Sequence, residues 1–419
     1  MPKVEIPLGP QHPALKEPEN FVLTLDGERI IGAAVNLGYN HRGIEKACEA
    51  RNYTQCLYLI ERVCGICSHS HSTTFTKTAE EVAGVVAPVR AQWIRALVGE
   101  LERLHSHMLW LGVAGHELGF DTLFHVSWRD RELVLDLLAS IAGNRVNYGV
   151  NKLGGVRFDI TPENAAAIRA VTDKLMETLK YYIELVTTDS TLAARMLGVG
   201  VLSHDDALAL GASGPTARAA GVDRDLRRDD PYCCFEDIPF QIALDDHADV
   251  YGRAVVRALE MVESCKIVRF VIDNLPDGPI ETKFPRKVPA GEAVTRYEAP
   301  RGEDIHYVRG NGTDKPDRVK LRAPTMGNAA AYGLMLQGNY LADVPIIVAA
   351  IDPCFSCTDR AISVIDHTSG REGSLDWRAL RKYSIDWYRD RGISFDGTSF
   401  DTSFGNCFGT SFGTLSRKI

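Results

Sequence analysis

The chain has 419 residues, of which 45% are hydrophobic and 24% charged, a composition that predicts a folded protein with a large buried core. Its formal net charge of −8 argues against a nucleic-acid partner, because surfaces that bind phosphates concentrate lysine and arginine. No basic region and apolar stretch open the chain, and its longest apolar run, residues 344–351, is too short to span a bilayer. The sequence therefore predicts a cytoplasmic protein that reaches a membrane only through partner subunits.

The first 45 residues alternate short apolar runs with glycine and proline, which predicts a small antiparallel sheet with a hairpin turn at Asp26-Gly27-Glu28. From residue 91, apolar residues recur every three or four positions and predict a long helix. A second long helix is predicted at Thr161, a capping residue followed by Pro162, and a third around residues 255–265.

These elements predict an α+β fold that is predominantly α. Its core is a bundle of long helices at about residues 76–275, with small antiparallel β segments packed at the ends of the bundle. Residues 276–345 contain many glycines and prolines and are predicted to be loop-rich. We predict one domain over residues 1–360, with a β-rich part at about 1–45, and a C-terminal extension over residues 361–419 that ends in a low-complexity Ser/Phe/Gly/Thr tail.

Two cysteine pairs have CxxC spacing, Cys64 with Cys67 and Cys354 with Cys357. In a reducing compartment such pairs indicate metal ligands rather than disulfides. Cys67 and Cys354 are 287 residues apart, and closing a loop of that length costs about 5 kcal/mol, so the whole fold must present the site. Ligand type alone leaves zinc, iron, nickel or a cluster open. The remaining cysteines are predicted to be buried or incidental thiols: Cys48, Cys56, Cys233, Cys234, Cys265 and Cys407.

At these residues the sequence closely resembles the large subunit of [NiFe]-hydrogenases, and specifically the energy-converting, membrane-associated branch related to respiratory complex I. The first family motif, R-x-C-G-x-C-x-x-x-H, is present as Arg62, Cys64, Gly65, Cys67 and His71. The second, D-P-C-x-x-C-x-x-H/R, is present as Asp352, Pro353, Cys354, Cys357 and Arg360. The resemblance implies that residues 1–360 are a catalytic domain with the fold shared by hydrogenase large subunits and the 49 kDa subunit of complex I.

The resemblance implies a nickel–iron centre whose iron carries cyanide and carbon monoxide. It makes Cys64 and Cys354 terminal ligands of nickel, and Cys67 and Cys357 bridges between nickel and iron. His71 matches the family histidine that hydrogen-bonds a bridging sulfur. His69 has no such counterpart and stays unassigned, whereas His105 and His107 lie two apart on the long helix and are predicted to be structural.

Two proline-containing loops match family loops around the iron ligands. Ala299-Pro300-Arg301 matches the loop whose arginine hydrogen-bonds a cyanide and stands over the open position between the metals. Ala323-Pro324-Thr325 matches a loop that has serine at its last position in better-known members, and Thr325 retains the hydroxyl for the second cyanide.

Two glutamates match family acids. Heterolytic cleavage of hydrogen releases a proton that needs a base, and the local candidates are the Cys354 thiolate and Glu17, which matches the family's proton relay. Glu45 lies 19 residues before Cys64, as does an acid that helps to bind magnesium in many hydrogenases. Those enzymes have a histidine where this chain has Arg360, so an ion pair between Glu45 and Arg360 is the alternative to magnesium.

Family members carry a C-terminal extension that a dedicated endopeptidase removes after nickel insertion. The family rule places cleavage between Arg360 and Ala361 and would remove 59 residues. Because the chain has no further cysteine set for an electron relay, the resemblance implies a small [4Fe-4S] partner subunit, a ferredoxin-type electron-transfer subunit and integral membrane subunits that translocate ions. The implied activity is the reversible reduction of protons to hydrogen at the cytoplasmic side of the membrane, with coupling ion, electron donor and direction left open.

Three alternatives compete with this interpretation. The quinone-site subunit of complex I shares the GPQHPA and RAAGVDRDLRRDDPY segments but has lost the four thiols. A non-catalytic scaffold with structural zinc would not explain why Glu17, Arg301 and Thr325 are present. A soluble cofactor-reducing hydrogenase is disfavoured by the NLGYNHRGIEK and CTDR segments. Residues 214–232 carry alternating charges that predict a subunit contact or a proton path, although an exposed charged loop would look the same.

Overall fold

The computed structural model describes residues 3–358, 362–366, 371–375, 386 and 389–390. Within these residues no helix is both long and apolar enough to cross a membrane. The strands are β1 (Val4–Leu8), β2 (Asn20–Asp26), β3 (Arg29–Asn36), β4 (Asn151–Lys152), β5 (Gly155–Val156), β6 (Gly291–Ala299), β7 (Gly302–Gly310), β8 (Arg318–Arg322), β9 (Ile362–Asp366) and β10 (Arg371–Leu375). The helices are α1 (Ile44–Glu49), α2 (Tyr53–Glu61), α3 (Ser68–Ala83), α4 (Val89–Glu117), α5 (Asp121–Ala142), α6 (Pro162–Thr188), α7 (Ser190–Met196), α8 (His204–Ala209), α9 (Gly214–Arg218), α10 (Leu226–Asp229), α11 (Val250–Asn274), α12 (Pro324–Asn328), α13 (Tyr332–Leu336) and α14 (Val344–Ala350).

The described residues fall into two compact units. One comprises residues 3–36 and 44–358, and the other comprises residues 37–43 with the described residues after 358. In the second unit β9 and β10 pair as an antiparallel hairpin. The predicted boundary at residue 360 lies outside the described residues and stays a prediction.

The N-terminal sheet forms as predicted. Strands β1, β2 and β3 are antiparallel in that order, and the turn between β2 and β3 has Gly27 at a φ of +62°. Side chains along β2 alternate between buried and partly exposed, with Phe21, Leu23 and Leu25 directed into the core. This alternation fixes the register, because a slip of one residue would expose all three.

Long helices form the core of the larger unit. The predicted helices are α4, α6 and α11, and α11 packs against both α4 and α6. Thr161 caps α6 by accepting a hydrogen bond from Asn164 N at 3.2 Å, with Pro162 at the first helical position. A fourth long helix, α5, was missed because its buried face includes polar Asp130, which accepts a hydrogen bond from the Tyr182 hydroxyl at 2.7 Å. The predicted fold class, α+β with a dominant helical bundle, is confirmed.

Residues 276–345, predicted to be loop-rich, also contain a sheet and short helices that the prediction did not include. Strands β6, β7 and β8 form an antiparallel sheet that packs against α3. Three of the glycines in this segment, Gly291, Gly302 and Gly310, lie at strand ends, and Gly302 opens β7 with a φ of +125°. A Cβ atom at Gly302 would lie 2.5 Å from Ser213 Oγ, so only glycine allows this turn to close against the neighbouring segment. The turn is important because it carries Arg301.

Candidate metal centre

The first cysteine pair lies in the loop between α2 and α3. A capping box formed by Asn52 and Gln55 begins α2, and Cys67 directly precedes α3, which confirms the predicted position before a helix. Glu102 on α4 caps α3 by accepting hydrogen bonds from the backbone N–H groups of His69 at 2.6 Å and Ser70 at 2.9 Å. Glu102 therefore fixes the helix end that directly follows the loop with both cysteines.

The second pair follows α14. Trp110 on α4 donates its indole N–H to Ala349 O at 2.7 Å and ties α14 to the bundle. Asp352 then adopts a φ of +59°, and Phe355–Cys357 form a 3₁₀ turn. This turn directs the second pair of thiols toward the first.

All four thiols meet in one buried cluster. Cys354 Sγ lies 2.8 Å from Cys357 Sγ and 3.4 Å from Cys64 Sγ, and the thiols of Cys64, Cys67 and Cys357 lie within 4.8 Å of one another. These distances exceed the 2.03–2.05 Å of a disulfide bond, and each cysteine is at most 4% exposed. The fold therefore closes the predicted 287-residue loop.

The chemistry of this cluster fits a soft metal. Hydrogen bonds from the Cys354 and Cys357 thiols lower the pKa of Cys64 well below its usual value, whereas burial raises the pKa of Cys357. Four negative thiolates this close together require a positive charge among them, and sulfur ligands select nickel, iron or zinc over magnesium or calcium. The donor set therefore fits a nickel–iron group, although geometry alone does not separate bridging from terminal thiols.

Arg301 lies beside the thiols and is buried. Its Nε donates to Asp352 O at 2.7 Å, one Nη donates to Asp352 Oδ1 at 2.9 Å, and the other donates to Ser106 Oγ at 3.3 Å. Burial alone would lower the pKa of Arg301, but Asp352 and the thiols raise it well above its usual value. The guanidinium is therefore cationic and has two further N–H groups for a ligand.

The two predicted proline loops both approach the second cysteine pair. Pro300 is buried next to Arg301 at the β6–β7 turn. Pro324 begins α12, and the Thr325 hydroxyl oxygen accepts the backbone N–H of Cys354 at 3.0 Å. The hydroxyl hydrogen of Thr325 is thus still available for donation.

Glu17 reaches the same place from the segment between β1 and β2. Its Oε2 accepts the backbone N–H of Ser356 at 2.9 Å, and its Oε1 accepts the Ser356 hydroxyl. A cavity of about 220 Å³ is lined by Glu17, Cys64, Cys354 and Arg301. The remaining lining is largely apolar: Ile66, Leu109, Trp110, Val113, Val348 and Phe355.

The four predicted or unassigned histidines are all buried but have different partners. His71 Nδ1 lies 3.3 Å from Asp304 Oδ1 and 3.2 Å from His306 Nε2. His69 is held by Arg95 O and Asn151, and burial lowers its pKa to about 4. His105 contacts the Tyr148 hydroxyl at 2.6 Å, and His107 contacts Glu260 Oε2 at 2.8 Å.

Glu45, at the start of α1, contacts strand β8. Its Oε1 accepts the backbone N–H of Leu321 at 2.9 Å, and its Oε2 lies 3.2 Å from Lys320 Nζ. Arg360 and Ala361 lie outside the described residues. The predicted ion pair or magnesium site at Glu45 and the predicted cleavage point therefore stay predictions.

Sequence reasoning missed several residues around the site. Nothing in the sequence marked Ser356 except its place inside the second CxxC pair. Asp304 and His306 could have been found together, because they lie two apart after Arg301 and alternate residues of a strand share one face. The charged segment 214–232 is not a uniformly exposed loop, since Arg218, Asp225 and Arg227 are fully or almost fully buried in ion pairs.

Comparisons with known proteins agree with this site. A family model described as "Nickel-dependent hydrogenase" matches residues 42–114, and one described as "Respiratory-chain NADH dehydrogenase, 49 Kd subunit" matches residues 117–287 and 282–360. The membrane-bound hydrogenase subunit alpha of Pyrococcus furiosus is 43% identical over 400 residues, 91% of this chain and 93% of that protein. The carbon monoxide-induced hydrogenase of Rhodospirillum rubrum is 40% identical over 356 residues, 85% of this chain and 99% of that protein.

Among solved structures, the archaeal membrane-bound sulfane sulfur reductase complex contains a chain that is similar with a TM-score of 0.82 and 32% identity, covering 85% of this chain and 98% of that chain. The fold and the site thus define a protein of the family that unites [NiFe]-hydrogenase large subunits with the 49 kDa subunit of complex I. Within that family, the chain belongs to the energy-converting, membrane-associated branch of the hydrogenase large subunits.

Proposed function

We propose that this chain is the catalytic subunit of an energy-converting [NiFe]-hydrogenase, which reversibly reduces protons to hydrogen. Electrons would come from reduced ferredoxin through a partner [4Fe-4S] subunit, and integral membrane subunits would couple the reaction to ion translocation at the cytoplasmic side of the membrane. The observation that carries the proposal is the convergence of four buried thiols from segments 287 residues apart, two of which, Cys64 and Cys354, line a cavity together with Arg301.

Each site residue has a defined part in this proposal. Cys64 and Cys354 would be terminal ligands of nickel, and Cys67 and Cys357 would bridge it to an iron that carries cyanide and carbon monoxide. When bound, this group supplies the redox-active Lewis acid at which hydrogen is formed or cleaved. The two remaining N–H groups of Arg301 would bind one cyanide, and the Thr325 hydroxyl would bind the other.

The test is elemental analysis of the purified complex combined with infrared spectroscopy. We expect nickel and iron in the chain, with cyanide and carbonyl bands. Zinc alone without such bands, in a fully matured preparation, would instead support a structural-zinc scaffold related to the complex I subunit, to which the NADH dehydrogenase model also points. A soluble cofactor-reducing hydrogenase would show the bands but purify without membrane subunits.

Glu17 is proposed to carry protons between Cys354 and solvent. Glu17→Gln should preserve both hydrogen bonds to Ser356, because an amide can accept the backbone N–H and donate to the hydroxyl, while it removes the exchangeable proton. We expect hydrogen evolution to fall by about 10²–10⁴-fold, the usual range for a lost acid–base group, with nickel content unchanged. Rates measured with a soluble electron donor report this effect.

The matched control for Glu17 is Ser356→Ala, which removes a hydrogen-bond partner but retains the carboxylate. Its hydrogen evolution should stay within about tenfold of the wild type if the lost acid–base group, rather than a lost contact, explains the Glu17→Gln effect. Equal losses in the two variants would show that Glu17 only anchors the second CxxC turn.

Maturation is proposed to remove residues 361–419 after metal insertion. Mass spectrometry of the chain from the active complex should give a polypeptide that ends at Arg360. A full-length chain in an active, nickel-loaded complex would contradict removal. The same preparation tests whether Glu45 binds magnesium. If it does, treatment with a chelator should release one magnesium ion per chain.

A further inference from the structure

A second buried polar cluster adjoins the thiols. It consists of His71 on α3 and of Asp304 and His306 on β7, all at most 1% exposed. Asp304 Oδ1 lies 3.3 Å from His71 Nδ1, and Asp304 Oδ2 lies 3.1 Å from His306 Nε2. His306 Nε2 also lies 3.2 Å from His71 Nδ1, so Asp304 and His306 both face the same nitrogen of His71.

The cluster restricts how the His71 ring can turn. The two rings are stacked with their centroids 5.4 Å apart and their planes at 21°. Thr74, also on α3, donates its hydroxyl to Asp304 Oδ2 at 2.8 Å and fixes the carboxylate in turn. Rotation of His71 would break the buried contacts of its Nδ1 with His306 Nε2 and with Asp304 Oδ1.

The other nitrogen of His71 has no such contact. Among the described residues, His71 Nε2 is buried without a hydrogen-bond partner, which proteins rarely tolerate. His71 lies one helical turn after Cys67, and its backbone N–H donates to Cys67 O at 3.2 Å. The unsatisfied nitrogen therefore belongs to a ring that lies one helical turn from a proposed ligand, and a ligand sulfur is an acceptor that would satisfy it.

Building on the proposed function, we propose that Asp304 and His306 are positioning residues: His306 Nε2–H faces both Asp304 and His71 Nδ1, which accepts it, so that His71 has its hydrogen on Nε2 and donates it to a ligand sulfur. A hydrogen bond to a ligating atom withdraws electron density from the metals, and the groups behind the donor set its strength. Asp304 and His306 thus act on the centre through His71 without touching it.

The same three donors could instead hold a metal ion of their own. Their spacing of 3.1–3.3 Å is also compatible with two histidines and a carboxylate around zinc. The test has to separate these two possibilities.

The experiment compares four forms of the purified complex by infrared spectroscopy and elemental analysis: wild type, Asp304→Asn, His306→Gln and Thr295→Val. A weaker hydrogen bond to sulfur leaves more electron density on iron, so we expect the cyanide and carbonyl bands of the first two variants to shift to lower wavenumber, with nickel and iron content retained. Thr295→Val is the matched control, because it removes the buried contact of Thr295 with Thr78, 2.6 Å long, at the same junction of α3 and the sheet. Its bands should not move.

Several results would overturn the positioning role. These are unshifted bands in both variants at full nickel content, or one zinc per wild-type chain that is lost in Asp304→Asn. If Asp304→Asn does not load metal, the band positions of His306→Gln test the positioning role instead, since this variant retains the carboxylate. If neither loads, wild-type complex with ¹⁵N-labelled histidine decides: one imidazole nitrogen should couple to the unpaired electron of the oxidised centre, and no coupling would overturn the inference. A wild type without the bands would count against the proposed function itself.

Discussion

Replacement of Cys64 by alanine is expected to abolish nickel retention and to lower hydrogen turnover below detection. Cys64 Sγ contacts Cys354 Sγ and accepts two backbone N–H groups from its own loop, so it lies at the middle of the cluster. Removing one of four thiolates leaves an incomplete ligand set around a cation that needs all of them. Nickel content by elemental analysis and hydrogen evolution with a reduced donor are the two measurements.

The matched control is Cys265→Ala. Cys265 is equally buried, but it lies on α11 and is not part of the cluster. Its removal should cost stability through a small cavity, with nickel content and turnover unchanged. Full nickel retention in Cys64→Ala would show that the metal is held elsewhere.

The largest stability effect is expected at Arg218. This residue is 0% exposed and donates to Glu260 Oε1 and to Glu298 Oε1, both at 2.9 Å, with Asp225 at 3.3 Å. Arg218→Met would leave three buried carboxylates without this partner, so we expect the free energy of unfolding to fall by about 3–5 kcal/mol. Denaturant unfolding of the purified chain measures the change.

Arg228→Met in the same segment is the control. Arg228 is 46% exposed and pairs with Asp223 and Asp229 at the surface, so its loss should cost less than about 1 kcal/mol. Similar costs for the two variants would mean that the buried ion pairs contribute no more than a solvated pair.

The same network predicts an acid dependence of stability. Burial alone would raise the pKa of Asp225, but Arg227 and Arg218 lower it to about 2. A carboxylate with a depressed folded-state pKa contributes stability above its unfolded pKa of about 4 and loses it as the pH falls toward 2. Arg218→Met should weaken this dependence, so its unfolding free energy should fall less than that of wild type between pH 4 and pH 2.

Local patterns in the sequence were enough for much of the fold. Thr161 with Pro162 identified the start of α6 because capping uses groups within one helical turn. The three-to-four spacing of its apolar residues identified α4, although every residue from 93 to 112 except Leu109 is buried. The sheet of β6 to β8 was missed because glycines at strand ends and glycines in loops have the same local pattern. Helix α5 was missed because its buried face contains a polar residue whose partner, Tyr182, is 52 positions away.

The sequence by itself determined which residues can act as ligands, since the two CxxC pairs, Arg301 and Glu17 are recognisable from spacing and family motifs. Only the tertiary structure decided that the pairs converge, that Glu17 binds the Ser356 turn and that Asp304 and His306 hold His71. It also decided that Arg218 is buried rather than solvated. The physical reason is that each of these contacts joins segments far apart in the chain, and burial and pairing depend on the packing of the whole molecule rather than on local residue order.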